Sequence, residues 1–150
     1  MLNFRIRRRH DRHMTAPRGG RQDEDKTTHS NMNTRPNMSK QQVVVSLTSF
    51  PAAAPYAAKA IQSVINGSVT PDRIVLYLTF AQFGTEGIPA ELTRMSEQNP
   101  VFEIRNYDTD IRSYRKLIPA LRDFPDAVIV TIDDDVAYHP NMLRDLLRMH

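Results

Sequence analysis

The chain has 150 residues and no cysteine, which excludes disulfides and thiolate metal sites and leaves oxygen or imidazole ligands for any metal. Its formal net charge is +3, but residues 1–40 hold ten Lys/Arg against four Asp/Glu, a balance of +6, whereas residues 41–150 hold ten against thirteen, a balance of −3. The basicity therefore belongs to the N-terminal segment, and nucleic acid is disfavoured as a partner of the rest of the chain.

Residues 1–40 are polar, show no hydrophobic period and are predicted to be a disordered basic tail. The run at residues 5–10 could bind RNA or an anionic membrane surface; the alternatives are a solvated tail and an upstream extension from a misassigned start codon. No apolar signal region follows the basic start, and no apolar run approaches the roughly 18 residues that cross a bilayer. We therefore expect a cytoplasmic protein, and peripheral contact of the tail with the inner membrane face stays open as an alternative.

The ordered part is predicted to begin with a strand over residues 43–47, a β-branched run typical of a strand covered on both faces. Pro55 is assigned to the loop that follows. Apolar residues at helical spacing then predict a helix over residues 57–65, and Gly67 stands where a C-terminal cap is expected.

A second strand is predicted over residues 74–78, and Pro89 is expected to begin a weaker helix. Residues 101–107 alternate enough to form a third strand, which we place near an edge of the sheet.

The second half of the ordered part continues the alternation. Residues 114–121 carry a helical period, although Pro119 must kink this helix or delay its start. Residues 127–132 form the most apolar strand, predicted to be buried, and a last helix is expected from about Pro140. The β-α alternation predicts an α/β fold with a mostly parallel sheet and flanking helices.

Polar residues follow three of the predicted strands, where ligands bind in sheets of this type. The sets are Thr48-Ser49-Phe50 after the first strand, Asp108-Thr109-Asp110 after the third and Asp133-Asp134-Asp135 after the fourth. If all four strands are parallel, these sets share one edge of the sheet.

The three adjacent aspartates indicate a cation site. Neighbouring carboxylates repel one another, and burial raises the free energy of ionising each. A hard divalent ion removes this repulsion, and oxygen ligands suit Mg²⁺ or Mn²⁺ together with phosphate oxygens. The alternatives are an exposed turn and a helix cap, but Pro140 places the next helix start several residues downstream.

The segment 110–116, DIRSYRK, predicts a phosphate-binding element. Arg112, Arg115 and Lys116 lie at a predicted helix start, where cations and backbone N–H groups together favour an anion. The alternative is that they are ordinary surface charges partly paired with Asp108 and Asp110. Phe50 could stack on a base or pack in its loop.

Four blocks of the sequence, from Val43 onward, resemble bacterial GT-A-fold glycosyltransferases of surface-polysaccharide clusters: VVVSLTSFPA, AIQSVINGSVTPDRIVLYLTFAQF, DIRSYRKLIPAL and VIVTIDDDVAYHP. The resemblance implies the Rossmann-like, donor-binding half of a metal-dependent enzyme that moves a sugar from a nucleoside diphosphate to a glycan or lipid-linked acceptor. It also implies Mn²⁺ or Mg²⁺ at a DXD motif.

By this resemblance, Asp133 lies near the ribose or the metal, Asp135 coordinates the cation directly, and Arg112 and Lys116 face the diphosphate. The full set of donor-binding candidates is Thr48, Ser49, Phe50, Asp110, Arg112, Lys116, Asp133 and Asp134, and the metal candidates are Asp133 and Asp135.

Members of that family continue well past the DXD motif, into a half that holds the acceptor site and the catalytic base. We therefore expect residues 41–150 to be an incomplete domain, with an unpartnered sheet edge, and no base can be assigned. Two alternatives stay open. One is a truncated, non-catalytic nucleotide-binding remnant. The other is a Mg²⁺-dependent phosphatase of the haloacid dehalogenase type, in which the Asp-x-Asp motif follows the first strand instead of the fourth.

Overall fold

The computed structural model describes residues 41–150, and the predicted disordered tail lies outside the described residues. These residues form an α/β structure around a four-stranded sheet in which every neighbouring pair is parallel. The strands are β1 (Val43–Thr48), β2 (Arg73–Leu78), β3 (Phe102–Asn106) and β4 (Val128–Thr131), in the spatial order β3-β2-β1-β4. The predicted fold class, the parallel sheet and the edge position of the third strand are confirmed.

Helices cover both faces of this sheet. They are α1 (Ala54–Ile65), α2 (Ala90–Gln98), α3 (Ile118–Asp123) and α4 (Met142–Met149), together with 3₁₀ turns at Phe80–Phe83 and Arg112–Lys116. Alternate residues of β1 point into two cores: Val43, Val45 and Leu47 pack with α1, α2 and α4, whereas Val44 packs with α3. The helices α1 and α2 lie on one face of the sheet and α3 lies on the other. Right-handed crossovers produce this arrangement when the chain first adds strands on one side of β1 and later on the other.

Burial along the strands follows from their position in the sheet. β1 and β2 have neighbours on both sides and helices on both faces, so nearly all their residues are buried. β4 pairs only with β1 among the described residues, and its residues are half-buried, with Thr131 exposed. The prediction of a buried fourth strand was wrong in this respect, because an apolar run carries no information on whether a neighbouring strand is present. The expected sheet edge is found here.

The boundaries of α1 correct two predictions. Pro55 lies in the first turn of the helix and not in the loop before it, a position that proline tolerates because the first N–H groups of a helix have no partner within it. The C-terminal cap is Asn66 instead of Gly67. Gly67 has an ordinary backbone conformation, but a Cβ there would lie 3.0 Å from the carbonyl oxygen of Val64. Close backbone approach therefore explains the glycine.

The segment at residues 112–121 differs most from its prediction. It forms a 3₁₀ turn, and α3 begins only at Ile118, with Pro119 in its first turn, so the proline delays the helix start. The apolar stripe read from the period is exposed: Tyr114, Leu117, Ile118 and Leu121. The buried members of the segment are Arg115, Pro119 and Ala120.

Candidate functional site

A cleft of about 420 Å³ opens at the carboxyl ends of β1 and β4. The chain leaves β1 towards β2 on one side, while β4 pairs on the other side, so this is the point where the strand order reverses. Open α/β sheets bind ligands at such a point. The cleft is lined by Thr48, Ser49, Phe50, Gln82, Asp110, Arg112, Ser113, Arg115, Lys116, Ile132, Asp133 and Asp134.

The segment after β3 reaches this cleft by crossing the ends of β2 and β1. The Tyr107 N–H donates to the carbonyl of Leu78 at 2.8 Å, which fixes the start of the crossing. The hydroxyl of fully buried Ser46, in β1, donates to the carbonyl of Lys116 at 2.5 Å and fixes its end. The cationic 3₁₀ turn therefore lies beside β1 although β3 is two strands away.

Arg115 is the least expected feature of the cationic side. The residue is only 4% exposed, and its Nε has no hydrogen-bond partner among residues 41–150. Within the same residues its single ion pair joins Nη2 to Asp110 Oδ1 at 3.4 Å, and the Asp110 side chain is 64% exposed. A buried guanidinium with so weak a partner retains capacity for an anion, because its planar donor fork suits phosphate and carboxylate oxygens.

Asp110 also organises the start of the turn. Its Oδ1 accepts a hydrogen bond from the backbone N–H of Arg112 at 3.2 Å. Arg112 has φ +53°, the left-handed region that non-glycine residues adopt with strain. Residues in such conformations concentrate at binding and catalytic sites, which agrees with the position of Arg112 in the cleft lining.

The carboxylate side of the cleft comes from the loop after β4. Asp133 Oδ1 accepts a hydrogen bond from Lys116 Nζ at 2.5 Å, and the Asp133 N–H donates to the hydroxyl of Tyr138 at 2.8 Å. The Tyr138 N–H in turn donates to Ser63 Oγ in α1 at 2.9 Å. The next residue, Asp134, has a buried Oδ2 that finds no hydrogen-bond partner in the part of the chain that the structure describes. A buried carboxylate oxygen in that state lacks a proton donor or a cation.

The structure places the candidate metal ligands in different positions relative to the cleft. Asp133 and Asp134 line the cleft, whereas Asp135 is exposed and does not line it. Within residues 41–150, no three acidic or histidine side chains converge into a ready-made cation site. Two carboxylates fit a divalent ion whose remaining ligands are phosphate oxygens and water, the usual arrangement for Mg²⁺. The unpartnered Oδ2 makes Asp134 a better candidate ligand than Asp135.

The loop after β1 supplies the remaining wall. Thr48 Oγ1 donates to the carbonyl of Tyr77 at 2.8 Å, so this hydroxyl anchors the loop to β2. Ser49 is buried, and Phe50 is 55% exposed with its ring available for stacking.

All eight donor-binding candidates of the sequence analysis line the same cleft. Asp108 does not; its Oδ1 accepts from Asn106 Nδ2 at 2.8 Å. Sequence reasoning missed three lining residues, namely Gln82, Ser113 and Ile132. Ser113 and Ile132 stand directly beside named candidates and could have been included on that ground. Gln82 reaches the cleft from the turn after β2, and no local pattern marks it.

A second polar network lies on the α3 face of the sheet, away from the lining residues. The Tyr77 hydroxyl and Arg105 Nη1 both donate to Asp123 Oδ2, at 3.0 and 2.8 Å. Burial works to raise the pKa of Asp123, but hydrogen bonds from Arg105, Tyr77 and Arg122 outweigh it and hold that pKa below its usual range. Burial and the bond to Asp123 raise the pKa of Tyr77. This network ties β2 and β3 to α3 and is structural.

No protein family matches the sequence, and a search of curated proteins finds no relative. Among residues 41–150, no helix has the length and apolar character that crossing a membrane requires.

Proposed function

We propose that this chain carries the donor-binding half of a metal-dependent glycosyltransferase, with a nucleoside diphosphate sugar as its donor. One observation carries the proposal: the cleft at the switch point is lined by buried Arg115 and by Asp134, and the buried Nε of the one and Oδ2 of the other find no partner within residues 41–150. A ligand that presents an anion and a cation together would satisfy both. A diphosphate with a divalent ion does so.

The basic and the acidic residues of the cleft would have different roles. Arg112, Arg115 and Lys116 would face the diphosphate, and Asp133 and Asp134 would hold the cation. When the bond between the sugar and the diphosphate breaks, negative charge builds on the departing nucleotide, and a bound divalent ion supplies Lewis-acid stabilisation. The three cationic side chains would stabilise the same charge from the cleft wall.

Sugar transfer is favoured over other nucleotide chemistry by the four sequence blocks that resemble GT-A enzymes. The exposed ring of Phe50 at the cleft also suits a nucleoside base. A glycan or lipid-linked molecule is the acceptor that this resemblance implies. A non-catalytic nucleotide-binding role would use the same cleft but would not cleave a sugar donor.

Calorimetric titration with UDP, GDP, ADP and CDP, with and without Mn²⁺, tests the proposal. At least one diphosphate should bind, and Mn²⁺ should tighten its binding. Asp134→Asn should reduce the Mn²⁺-dependent affinity by about tenfold or more, since a charged ligand of the cation is lost. Asp135→Asn is the matched control, because it removes the same charge one residue further along, outside the cleft lining.

Three outcomes would redirect the proposal. If no diphosphate binds in a Mn²⁺-dependent way, the nucleotide site is wrong. If Asp135→Asn and not Asp134→Asn removes the metal dependence, the ligand implied by the family resemblance is the right one. Release of UDP or GDP from sugar donors separates an enzyme from a binding remnant, and phosphate release from p-nitrophenyl phosphate would instead support the phosphatase alternative.

A further inference from the structure

The cleft is lined by three acidic and three basic side chains, so the formal charges of its lining sum to zero. They are Asp110, Asp133, Asp134, Arg112, Arg115 and Lys116. A site for a bare anion would show an excess of positive charge, and a site for a bare cation an excess of negative charge. This balance suits a ligand that contains both signs.

The ion pair between Lys116 and Asp133 joins the two sides. Its Nζ–Oδ1 distance is 2.5 Å, and both backbones are anchored: Lys116 through its carbonyl to Ser46, and Asp133 through its N–H to Tyr138. The Lys116 ammonium group is therefore paired with a carboxylate that would be a ligand of the proposed cation.

We propose that Lys116 holds the place of the divalent cation until a diphosphate arrives, so that cation and diphosphate bind together and neither binds well alone. The proposal rests on the proposed function, since it concerns the same site. A free cation must displace an ammonium group from Asp133 and enter beside the positive charge of Lys116 and Arg115. A free diphosphate must approach the carboxylates of Asp133 and Asp134. With both present, Lys116 is released from Asp133 and can pair with phosphate oxygens, as a P-loop lysine does.

The test measures Mn²⁺ binding to the whole chain by the electron paramagnetic resonance signal of free Mn²⁺, with and without pyrophosphate, UDP or GDP. The wild-type chain should bind Mn²⁺ weakly alone and at least about tenfold more tightly with the diphosphate, a coupling within the usual range between sites. Lys116→Gln should bind Mn²⁺ alone about tenfold more tightly than wild type, and its coupling to diphosphate should shrink.

Three variants control this result. Lys59→Gln removes a positive charge from the exposed side of α1 and should leave Mn²⁺ binding unchanged. Lys116→Arg keeps the charge and should retain weak binding of Mn²⁺ alone. Adding Asp134→Asn to Lys116→Gln should remove the gained affinity, because the cation requires the carboxylate of Asp134 as well as that of Asp133.

The outcomes separate the two proposals. If Mn²⁺ binds neither wild type nor Lys116→Gln, with or without diphosphate, the metal site of the proposed function fails. If Mn²⁺ and diphosphate bind wild type cooperatively but Lys116→Gln behaves like Lys59→Gln, only the role of Lys116 is overturned. Tight binding of Mn²⁺ alone to wild type would also overturn it.

Discussion

Replacing Arg115 by Met is expected to stabilise the fold while weakening diphosphate binding. The Arg115 side chain is 5% exposed and lines the cleft. Among the described residues its Nε lacks a partner, and its one ion pair, to Asp110, is long and reaches a mostly exposed carboxylate. Methionine matches the flexible aliphatic part of the arginine side chain and has no polar group to satisfy.

The magnitude follows from the contacts of Arg115. An unsatisfied buried polar group destabilises by about 1–3 kcal/mol. Replacing buried, charged side chains with apolar ones of similar volume is often neutral or stabilising by about 1–4 kcal/mol. The ion pair that is lost involves an exposed partner and contributes roughly 0–1 kcal/mol. We expect Arg115→Met to raise the free energy of unfolding by about 1–2 kcal/mol, and Tm by roughly 4–8 °C for each kcal/mol in a domain of about this size.

Urea denaturation gives the free energy of unfolding, and calorimetric titration gives the affinity for the Mn²⁺-diphosphate complex. Arg112→Met is the matched control: Arg112 is exposed, so its replacement should change stability by less than about 0.5 kcal/mol. A loss of more than about 1 kcal/mol in Arg115→Met would mean that the guanidinium is well paired in solution. Arg115 would then not be available for an anion.

Two further predictions concern the framework. Gly67→Ala should lower the free energy of unfolding, measured by urea denaturation, by about 1–3 kcal/mol. The new Cβ would lie 3.0 Å from the Val64 carbonyl oxygen, and a backbone atom cannot move away as easily as a side chain can. An unchanged free energy of unfolding would contradict this. Asp123 has a lowered pKa in the folded state. Its contribution to the free energy of unfolding is therefore fully present above its unfolded pKa of about 3.9 and disappears as pH falls through the folded pKa. As the pH falls from neutrality to values well below the unfolded pKa, Asp123→Asn should therefore lose less stability than wild type. Equal losses would refute the role assigned to Arg105 and Tyr77.

The strands and their common direction could be predicted because local patterns determine them. β-branched runs mark β1 and β2, and each helix between strands forces a parallel crossover. Whether a helical stripe faces the protein or the solvent could not be predicted. The period at Tyr114 and Leu121 indicates one apolar side, but the sequence does not say that this side faces solvent and that Arg115 faces the protein.

The cleft was predictable to the extent that parallel strands bring their ends together, which placed Phe50, Asp110 and Asp133 at one edge. Which individual side chains line the cleft depends on the backbone torsion angles of single residues. Asp134 and Asp135 are equivalent in sequence, and only the turn after β4 decides which one enters the cleft. Gln82 belongs to a loop that sequence patterns leave unassigned.

The bonds that anchor the cleft join residues far apart in the chain. Ser46 and Lys116 are separated by 70 positions, and Ser63 and Tyr138 by 75. Contacts of such sequence separation form only after long loops have closed, which is slow and entropically unfavourable. We therefore expect short β-α pieces of this chain to lack the complete cleft. Both of its charged walls should come together only once β4 has joined β1.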